Sequence, residues 1–595
     1  MDRYARNRHD LAPFDRDAFG SDGTPGRIGH GEIGGKARGL VSVRKMLHAG
    51  FGPRTDPQIE VGIPRFAVVA TDVFDAFLER NHLDEIASSD LPDERIAHAF
   101  QQGDLPTEIL GDLRTLADLI RAPLAVRSSS LLEDALLHPF AGVYETKMTP
   151  NNQPDSATRF QRLVEALKFV YASTFFKSAR DYRRSSRTPG GEEKMAVILQ
   201  EVVGQRHGDR FYPEVSGVAR SFNFYPTGGA DRDEGVVDLA LGLGKTIVDG
   251  GLCYSYSPAR PKSPPPYSSP RDLLAVTQKE FWAVNVGKAP PYDPIAETEY
   301  LAQAGLREAE YDGTLRYSAS TYVADSDRVT PGVGPAGPRI LNFAPLLVLE
   351  QYPLNSVVRS LLGSCESASG RDVEIEFAMT FPKTAGSKPH LGFLQIRPMV
   401  VSDDEVHVDE SELDSPNVLL ASRHVMGNGV VETIEDVVYV KPEVFETRHT
   451  RTVGEQLEKM NARLLDQERP YLLIGFGRWG SADPWLGIPV KWGQICGAKA
   501  IVEATRPDMM IEASQGSHFF HNISSFQVSY FSVPHDTAPG IDWQWLDGNE
   551  AVAETEFVRH IRTAGPLLVK VDGRAGRGAV WYRALANEDG ARDQS

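Results

Sequence analysis

The chain has 595 residues, too many for one hydrophobic core, so its length predicts two to four domains. Its 63 Lys+Arg and 81 Asp+Glu give a net charge of −18, which argues against proteins that bind nucleic acid or an anionic membrane through a broad basic surface. Three widely spaced cysteines, Cys253, Cys365 and Cys496, argue against a disulfide framework or a structural zinc site, and they indicate a reducing, cytoplasmic environment.

The first predicted elements are a glycine-rich turn and the helix that follows it. In IGGKARGLVSVRKML, residues 33–47, apolar residues recur at roughly helical spacing after the glycines, so Lys36 would lie at the start of a helix. IPRFAVVATDVFDAFLER, residues 63–80, predicts a strand over 66–69 and then a helix capped by Thr71 or Asp72.

The next segment, PLAVRSSSLLEDALLHPFAGVYETKM at 123–148, ends a short apolar strand in an unusual way. Arg127 and the three hydroxyls of Ser128–Ser130 stand where a turn is expected, and Glu133 and Asp134 follow. Two interpretations are open. Arg127 forms a structural salt bridge with one of the two acids, or Arg127 and the serines form the rim of an anion site.

Further along the chain, helix and strand patterns alternate up to an acidic run. The patterns predict a helix at 159–176, a buried strand at 195–203, a strand and glycine bend at 235–251, a proline-rich surface segment at 257–270, and strands at 373–379 and 391–401. The run DDEVHVDESELDSPN has no such period. The predicted domains are therefore 1–402, an acidic linker at 403–417, and 418–595, which has strands of its own and a helix near 453–466.

Basic, acidic and amide side chains recur at the strand ends and glycine turns of the first predicted domain. They are Lys36, Arg127, the alternating Glu374 and Glu376, and Gln395 with Arg397 on one face of LQIRP. Cationic groups neutralise polyphosphate oxygens, glycine turns cradle them, and carboxylates hold Mg²⁺. Each group alone has an ordinary explanation, such as a solvated lysine or the wet face of an edge strand. Their order along the chain favours a phosphate site.

That order resembles the nucleotide-binding domain of the pyruvate phosphate dikinase and phosphoenolpyruvate synthase family. The matching motifs are IGGKARGL, VRSSSLLEDALLHPFAGVYET, MAVILQEVV with SGVARS, LALGLGKTIVDGG, and VEIEFA with LQIRP, and they span roughly residues 28–400. The resemblance implies an α+β class protein whose N-terminal region has the ATP-grasp fold, with ATP held between two lobes. A smaller C-terminal α/β domain would follow.

The resemblance also implies roles for individual residues of this chain. Lys36 and Arg127 would hold phosphates, and Glu376 and Gln395 would coordinate Mg²⁺. Arg397 would contact the transferring phosphoryl groups, so that catalysis consists mainly of positioning and charge neutralisation.

Three further cofactor-binding residues are implied on the hinge strand that meets adenine. They are Gln200, Glu201 and Val203 in the segment MAVILQEVV.

Two positions depart from the family pattern. Lys245 replaces the glutamate of a GLGE-type loop, and Phe222 stands where SGV-x-F-[TS]-R has its arginine. Arg220, two residues earlier, would substitute only if the strand register places it on the required face. These departures leave open whether the chemistry is that of the dikinases.

The C-terminal domain carries a distant likeness to the phosphohistidine segment of the same family. In AKAIVEATRPDMMIEASQGSHFFHNI, residues 498–523, His518 would be the catalytic phosphoryl carrier, with Gly516 and Ser517 before it. Two alternatives stay open: a core aromatic cluster, or a metal pair with His521. The Gly- and Trp-rich stretch 475–493 predicts a shaped pocket or a domain interface, or else a rigid structural loop.

Together these observations predict an ATP-dependent, dikinase-like phosphotransferase with ATP and Mg²⁺ as cofactors. The alternative is a non-catalytic ATP- or AMP-sensing protein, or the ATP-binding subunit of a larger transferase. Only about 75 residues follow His518, whereas a pyruvate-binding barrel needs about 250, so conversion of pyruvate by this chain alone is not expected. The acceptor stays open among a small molecule, a protein, and a partner that carries the barrel. No membrane span or signal peptide is predicted, and a homo-oligomeric state stays open.

Overall fold

The computed structural model describes residues 11–50, 58–131, 133, 142–185, 193–226, 229–263, 269–384, 386–399, 406–481, 483–507 and 518–582. The chain divides into two compact units, Met1–Met399 and Val400–Ser595, which are described separately. The predicted linker at 403–417 lies at the start of the second unit, and residues 403–405 fall outside the described residues.

The first unit contains several sheets. Its strands are β1 (Gly26–Ile28), β2 (Glu60–Gly62), β3 (Phe66–Val69), β4 (Leu124–Ser130), β5 (Thr146–Thr149), β6 (Met195–Glu201), β7 (Gln205–His207), β8 (Arg210–Tyr212), β9 (Val215–Arg220), β10 (Val236–Ala240), β11 (Tyr254–Tyr256), β12 (Glu280–Asn285), β13 (Leu301–Gly305), β14 (Ala319–Val323), β15 (Arg328–Pro331), β16 (Arg339–Leu341), β17 (Val373–Thr380) and β18 (His390–Pro398). Sheet A has the order β1-β3-β6-β4-β5, and sheet B has the order β11-β10-β9-β17-β18-β2. Sheet C is β13-β12-β8-β7, and a small sheet is β15-β14-β16.

Helices of the first unit fall between these strands. They are α1 (Arg16–Asp22), α2 (Gly34–His48), α3 (Thr71–Arg80), α4 (Asp84–Ala87), α5 (Asp93–Gln102), α6 (Thr107–Leu119), α7 (Ser156–Ser173), α8 (Lys177–Ser185), α9 (Lys245–Val248), α10 (Pro270–Val276), α11 (Leu306–Asp312), α12 (Ala344–Leu347) and α13 (Leu354–Ser369). The predicted helix after the glycine turn is α2, and the predicted strand at 66–69 is β3, so both predictions are confirmed.

The main core of the first unit joins sheet B to helices α2 and α13. The apolar faces of these helices bury Leu40, Val43, Val358 and Leu361 against strand residues such as Ile375. Their apolar residues recur every three or four positions, which places them on one stripe of each helix. This packing fixes α2, and with it Lys36, against β4 and β18.

The second unit is built on one large sheet with a parallel centre. Its elements are α14 (Glu410–Leu413), β19 (Val418–Ser422), β20 (Val425–Met426), β21 (Gly429–Val440), α15 (Thr450–Asp466), β22 (Tyr471–Phe476), β23 (Arg478–Trp479), β24 (Gly487–Ile488), β25 (Ala498–Ala504), α16 (His518–Ser525), β26 (Ser529–Val533), α17 (Trp543–Gly548), β27 (Ala551–Glu554), β28 (Val558–Asp572) and β29 (Arg577–Trp581). Strands β21, β22, β25 and β26 run parallel as neighbours, with α15 and α16 in their connections.

The whole chain is therefore a mixed α/β protein with several mixed sheets, consistent with the predicted α+β class. In the part of the chain that the structure describes, none of the helices has the length and apolar character needed to cross a lipid bilayer.

Candidate functional site

A row of charged side chains crosses one face of sheet B and reaches sheet A. The row, called the charge ladder below, consists in spatial order of Asp238, Arg220, Glu374, Arg397, Glu376 and Arg127. Glu374 lies directly opposite Arg220 on one side and Arg397 on the other. Because directly opposed residues of antiparallel strands share a face, the strand register assembles the ladder from distant parts of the sequence.

The inner end of the ladder is buried and fully bonded at its carboxylates. Arg220 Nε donates to Glu374 Oε2 at 2.7 Å, and Arg220 Nη1 donates to Asp238 Oδ2 at 2.9 Å. The hydroxyl of Ser255 donates to the other oxygen of Asp238. Burial alone would lower the pKa of Arg220, but Glu374 and Asp238 outweigh it and raise that pKa above its ordinary value.

The outer end of the ladder is where two arginines share one carboxylate. Arg397 Nε lies 3.4 Å from Glu374 Oε1, and its Nη2 donates to Glu376 Oε1 at 3.1 Å. Arg127 Nη2 approaches the other oxygen of Glu376 at 3.5 Å. Arg127 and Glu376 are 249 positions apart in the chain, so their meeting is a property of the fold.

Arg127 joins the two sheets through a β-bulge in β18. Gln395 is opposite Glu376 and Phe393 is opposite Phe377, so Leu394 is an extra residue in this strand. The Leu394 carbonyl accepts from Arg127 Nη1 at 3.0 Å, and Gln395 Oε1 accepts from Arg127 Nη2 at 2.5 Å. The sequence predicted Arg127 and Gln395 as site residues, but nothing in it marked the bulge.

Lys36 belongs to a separate buried cluster beside Arg127. Its Nζ lies 2.8 Å from Glu133 Oε1 and 3.3 Å from the Ser128 hydroxyl. The suggestion that Glu133 or Asp134 pairs with Arg127 is wrong for Glu133, which pairs with Lys36, and Asp134 lies outside the described residues. Lys36 thus bonds the residue that follows Arg127 in β4, and its charge is paired with Glu133 rather than with a carboxylate of the ladder.

The three serines do not form the rim that the sequence suggested. All three side chains are fully buried. Ser128 donates to Glu133, and Ser129 donates to the Ile33 carbonyl while accepting from the Ala37 amide at 3.1 Å. Ser129 thereby fastens the glycine turn of α2 to the end of β4, because a short hydroxyl side chain can satisfy backbone groups where helix and strand approach closely.

The three predicted hinge residues have different surroundings. Gln200 belongs to the site, since its Oε1 accepts from Arg127 Nη1 at 3.0 Å. Glu201 accepts instead from Arg65 Nε at 2.8 Å. Val203 is buried beside Gly392, where a Cβ would lie 2.5 Å from a Val203 methyl.

The two positions that depart from the family pattern, Phe222 and Lys245, have different surroundings. Arg220 lies opposite Glu374 and is bonded to Glu374 and Asp238, and its substitution for the family's arginine stays a prediction. Phe222 is buried. Lys245, the first residue of α9, lies 3.1 Å from Asp249 and 3.5 Å from Glu297, so acidic neighbours surround the reversed charge. Burial raises the pKa of Glu297 to about 7.

In the second unit, His518 is the first residue of α16. Gly516 and Ser517 lie outside the described residues, as do the side chains of His518 and His521. The phosphoryl-carrier role of His518 therefore stays a prediction.

Part of the Gly- and Trp-rich stretch 475–493 packs inward around Trp479, whereas Trp485 is exposed. Trp479 is buried, and its indole N–H donates to the Val502 carbonyl at 3.0 Å. Gly475 lies so close that a Cβ there would be 2.4 Å from the Trp479 ring. These contacts favour the rigid-loop interpretation for this part of the stretch.

The donors available for a metal ion are few. Among the described residues there is no cluster of three or more His, Cys, Asp or Glu side chains placed to hold one. Glu376 and Gln395 face each other across β17 and β18, and carboxylate and amide oxygens are the donor types that Mg²⁺ accepts. These two side chains would suit a Mg²⁺ that took its remaining ligands from phosphate and water.

Comparison with known proteins identifies one matching domain. Residues 30–263 match the family model for the pyruvate phosphate dikinase, AMP/ATP-binding domain. That match covers α2, β4 and β6 but ends before β17 and β18, although the motif resemblance extends to about residue 400.

Three curated relatives each match 37% of the chain. The prodigiosin synthesizing transferase PigC of Serratia marcescens is 31% identical over 225 residues, which are 37% of this chain and 21% of the relative. The phosphoenolpyruvate synthase of Aeropyrum pernix is 27% identical over 239 residues, 37% of this chain and 25% of the relative. The rifampicin phosphotransferase of Streptomyces sviceus is 28% identical over 229 residues, 37% of this chain and 23% of the relative.

The matches span about a fifth to a quarter of the length of each of these relatives. The family resemblance to pyruvate phosphate dikinase and phosphoenolpyruvate synthase is thus confirmed for the AMP/ATP-binding domain, residues 30–263.

Proposed function

We propose that the first unit binds ATP with Mg²⁺ in an ATP-grasp arrangement of two lobes and transfers a phosphoryl group to an acceptor. The single observation that carries the proposal is the outer end of the charge ladder. There Arg127 of β4 contacts Glu376 of β17 and Gln395 of β18, and Arg397 of β18 contacts the same Glu376. A phosphotransfer site needs cations for the phosphate oxygens and oxygen ligands for a metal within one cluster.

The arginines have a clear task in such a reaction. Arg127 and Arg397 exchange their carboxylate partner, Glu376, for phosphate oxygens of the nucleotide, and their planar guanidinium groups bind such oxygens in pairs. Gln200 and the Leu394 carbonyl keep Arg127 in place during that exchange. Glu376 and Gln395 would hold Mg²⁺, which supplies neutralisation of the phosphate charge.

Lys36 supports the same site from α2. Its ammonium group has Glu133 as a buried counter-ion and Ser128 as a further acceptor. A lysine at the start of a helix can present its charge to phosphate together with the helix N–H groups. Glu201 and Val203 would shape the far side of the adenine site.

The acceptor is proposed to be His518, as the resemblance of the second unit implies. The imidazole would attack the γ-phosphorus of ATP and expel ADP, or attack the β-phosphorus and expel AMP, in which case water takes the terminal phosphate of the resulting pyrophosphohistidine. The phosphohistidine left in either case would then pass its phosphoryl group to a small molecule or protein. Two of the curated relatives are named a phosphotransferase and a phosphoenolpyruvate synthase, which is consistent with phosphoryl transfer in this chain.

The test is incubation of the full-length protein with ATP and Mg²⁺, followed by separation of AMP, ADP and phosphate. Arg397→Lys keeps the charge that neutralises Glu374 and Glu376 but loses the guanidinium fork. It is expected to slow product formation by about 100-fold. Arg16→Ala, which removes an exposed ion pair with Asp112, is the matched control and should keep full activity.

Tight ATP binding without product formation would overturn the proposal of an enzyme. It would favour the alternative, a non-catalytic protein that senses ATP or AMP. For the acceptor, ATP labelled at the transferred phosphate should leave an acid-labile, base-stable label on the wild-type chain. Equal labelling of His518→Ala would show that another residue accepts the phosphoryl group.

A further inference from the structure

Two carboxylates on one face of β17 have the chemistry to hold a divalent cation. Glu374 and Glu376 are two residues apart, so both side chains project from the same face of the strand. Hard cations such as Mg²⁺ prefer oxygen ligands of this type. The two glutamates differ, however, in the arginines that surround them.

Glu374 is held on both of its oxygens. Arg220 binds Oε2 at 2.7 Å, and Arg397 Nε lies 3.4 Å from Oε1. Arg220 is itself fixed by Asp238, whose second oxygen accepts from Ser255. The side chains of Arg220 and Asp238 are only 3% and 4% exposed. Withdrawing Glu374 would leave Arg220 with one buried counter-ion fewer, which is costly in a site closed to water.

Glu376 is held less firmly and lies nearer to solvent. Its side chain is 15% exposed, against 8% for Glu374. Its contact with Arg127 is long, at 3.5 Å, and Arg127 keeps two other acceptors, Gln200 and the Leu394 carbonyl, when Glu376 and Gln395 turn to the metal. Arg127 therefore can release Glu376 without losing its place.

We infer that Arg220 is a positioning residue that withholds Glu374 from the metal, so that the site takes one divalent cation, on Glu376 and Gln395. This inference rests on the proposed function, because it concerns the metal that accompanies the nucleotide. The charges agree with it: the ladder has three arginines and three carboxylates, and only the Glu376 end can open to a cation.

The inference is tested by counting bound Mn²⁺ by electron paramagnetic resonance on the full-length protein with a non-hydrolysable ATP analogue. The wild-type protein is expected to bind one Mn²⁺ for each bound nucleotide. Glu376→Gln is expected to weaken Mn²⁺ binding at least tenfold, whereas Glu374→Gln should change it less than twofold. A tenfold loss in Glu374→Gln, or two Mn²⁺ in the wild type, would overturn the inference.

A second variant removes Arg220, the residue proposed to withhold Glu374 from the metal. Arg220→Met with Asp238→Asn deletes one positive and one negative charge and leaves Glu374 facing Arg397 alone, so a second Mn²⁺ is expected. Asp238→Asn alone keeps Arg220 on Glu374 and serves as the control with one Mn²⁺. If the double variant is folded, as checked by circular dichroism, and still binds one Mn²⁺, then Arg220 does not withhold Glu374 from the metal. If the wild-type protein binds neither the analogue nor Mn²⁺, the proposed function itself fails.

Discussion

Glu214, the residue directly before β9, is a carboxyl group buried without full compensation. Its side chain is only slightly exposed, and its Oε2 has no hydrogen-bond partner among the described residues. Burial raises the pKa of Glu214 from 4.5 to about 7. In the unfolded chain the same group releases its proton near the lower value, so the folded protein binds more protons between the two.

Stability is therefore expected to decrease as pH rises from about 4.5 to about 7. Relative to Glu214→Gln, the wild-type protein should lose up to about 3 kcal/mol of unfolding free energy over this range. Urea unfolding at intervals between pH 5 and pH 8 measures the difference. Glu280→Gln, at the exposed first residue of β12, is the control. A pH profile of Glu214→Gln parallel to that of the wild type would contradict the prediction.

The sequence predicted many residues of the candidate site but fewer of the side chains that they bind. Arg127, Gln200, Gln395 and Arg397 do meet at one cluster. Asp238, which completes the ladder, was missed. A lone acid in the apolar strand VVDLA was a usable signal for it, since a charge buried in a sheet requires a counter-ion.

The start of α2 depends on a glycine. Gly34 has φ of +74°, and a Cβ there would lie 1.6 Å from the Ser129 carbonyl oxygen. Both the left-handed backbone and the contact with β4 exclude a side chain. The glycines of IGGK therefore act here by allowing helix and strand to touch.

Gly34→Ala is expected to destabilise the first unit by about 3 kcal/mol or more, because it adds backbone strain to a steric overlap with main-chain atoms. Thermal or urea unfolding measures the loss. Gly363→Ala is the matched control: it lies in α13 with no atom within 4 Å of the added Cβ. It should be neutral or stabilise by about 0.5–1 kcal/mol, through its higher helix propensity. Equal effects of the two changes would refute this account of Gly34.

Helices and strands with a clear period were predictable, and their pairing was not. The helix at α7 and the strands at β6, β17 and β18 follow the predicted segments closely. The alignment of Arg220 with Glu374 depends on the register between β9 and β17, which are about 150 residues apart. No local pattern encodes a register between strands so distant, so the ladder could only be found in three dimensions.

For the whole molecule, the division into Met1–Met399 and Val400–Ser595 has a thermodynamic consequence. Each unit has its own hydrophobic core. If the proposed nucleotide site lies entirely in the first unit, a ligand stabilises that unit by mass action. At 100 times its dissociation constant, the ligand contributes about 2.7 kcal/mol.

Scanning calorimetry of the full-length protein should thus resolve two transitions. A non-hydrolysable ATP analogue with Mg²⁺ should raise the midpoint of only one. Arg397→Lys should abolish that rise, and Arg16→Ala should preserve it. An equal rise of both transitions would contradict a nucleotide site confined to residues 1–399.

The bulge at Leu394 has an evolutionary consequence. Removing that one codon would leave Phe393 and Gln395 adjacent, and each could still face its present neighbour on β17 in an ordinary alternating ladder. The pairing of β17 with β18 would persist. Arg127 would lose the Leu394 carbonyl, the main-chain oxygen that binds it independently of Glu376. A single in-frame deletion could therefore weaken nucleotide affinity in a descendant protein while leaving its architecture intact.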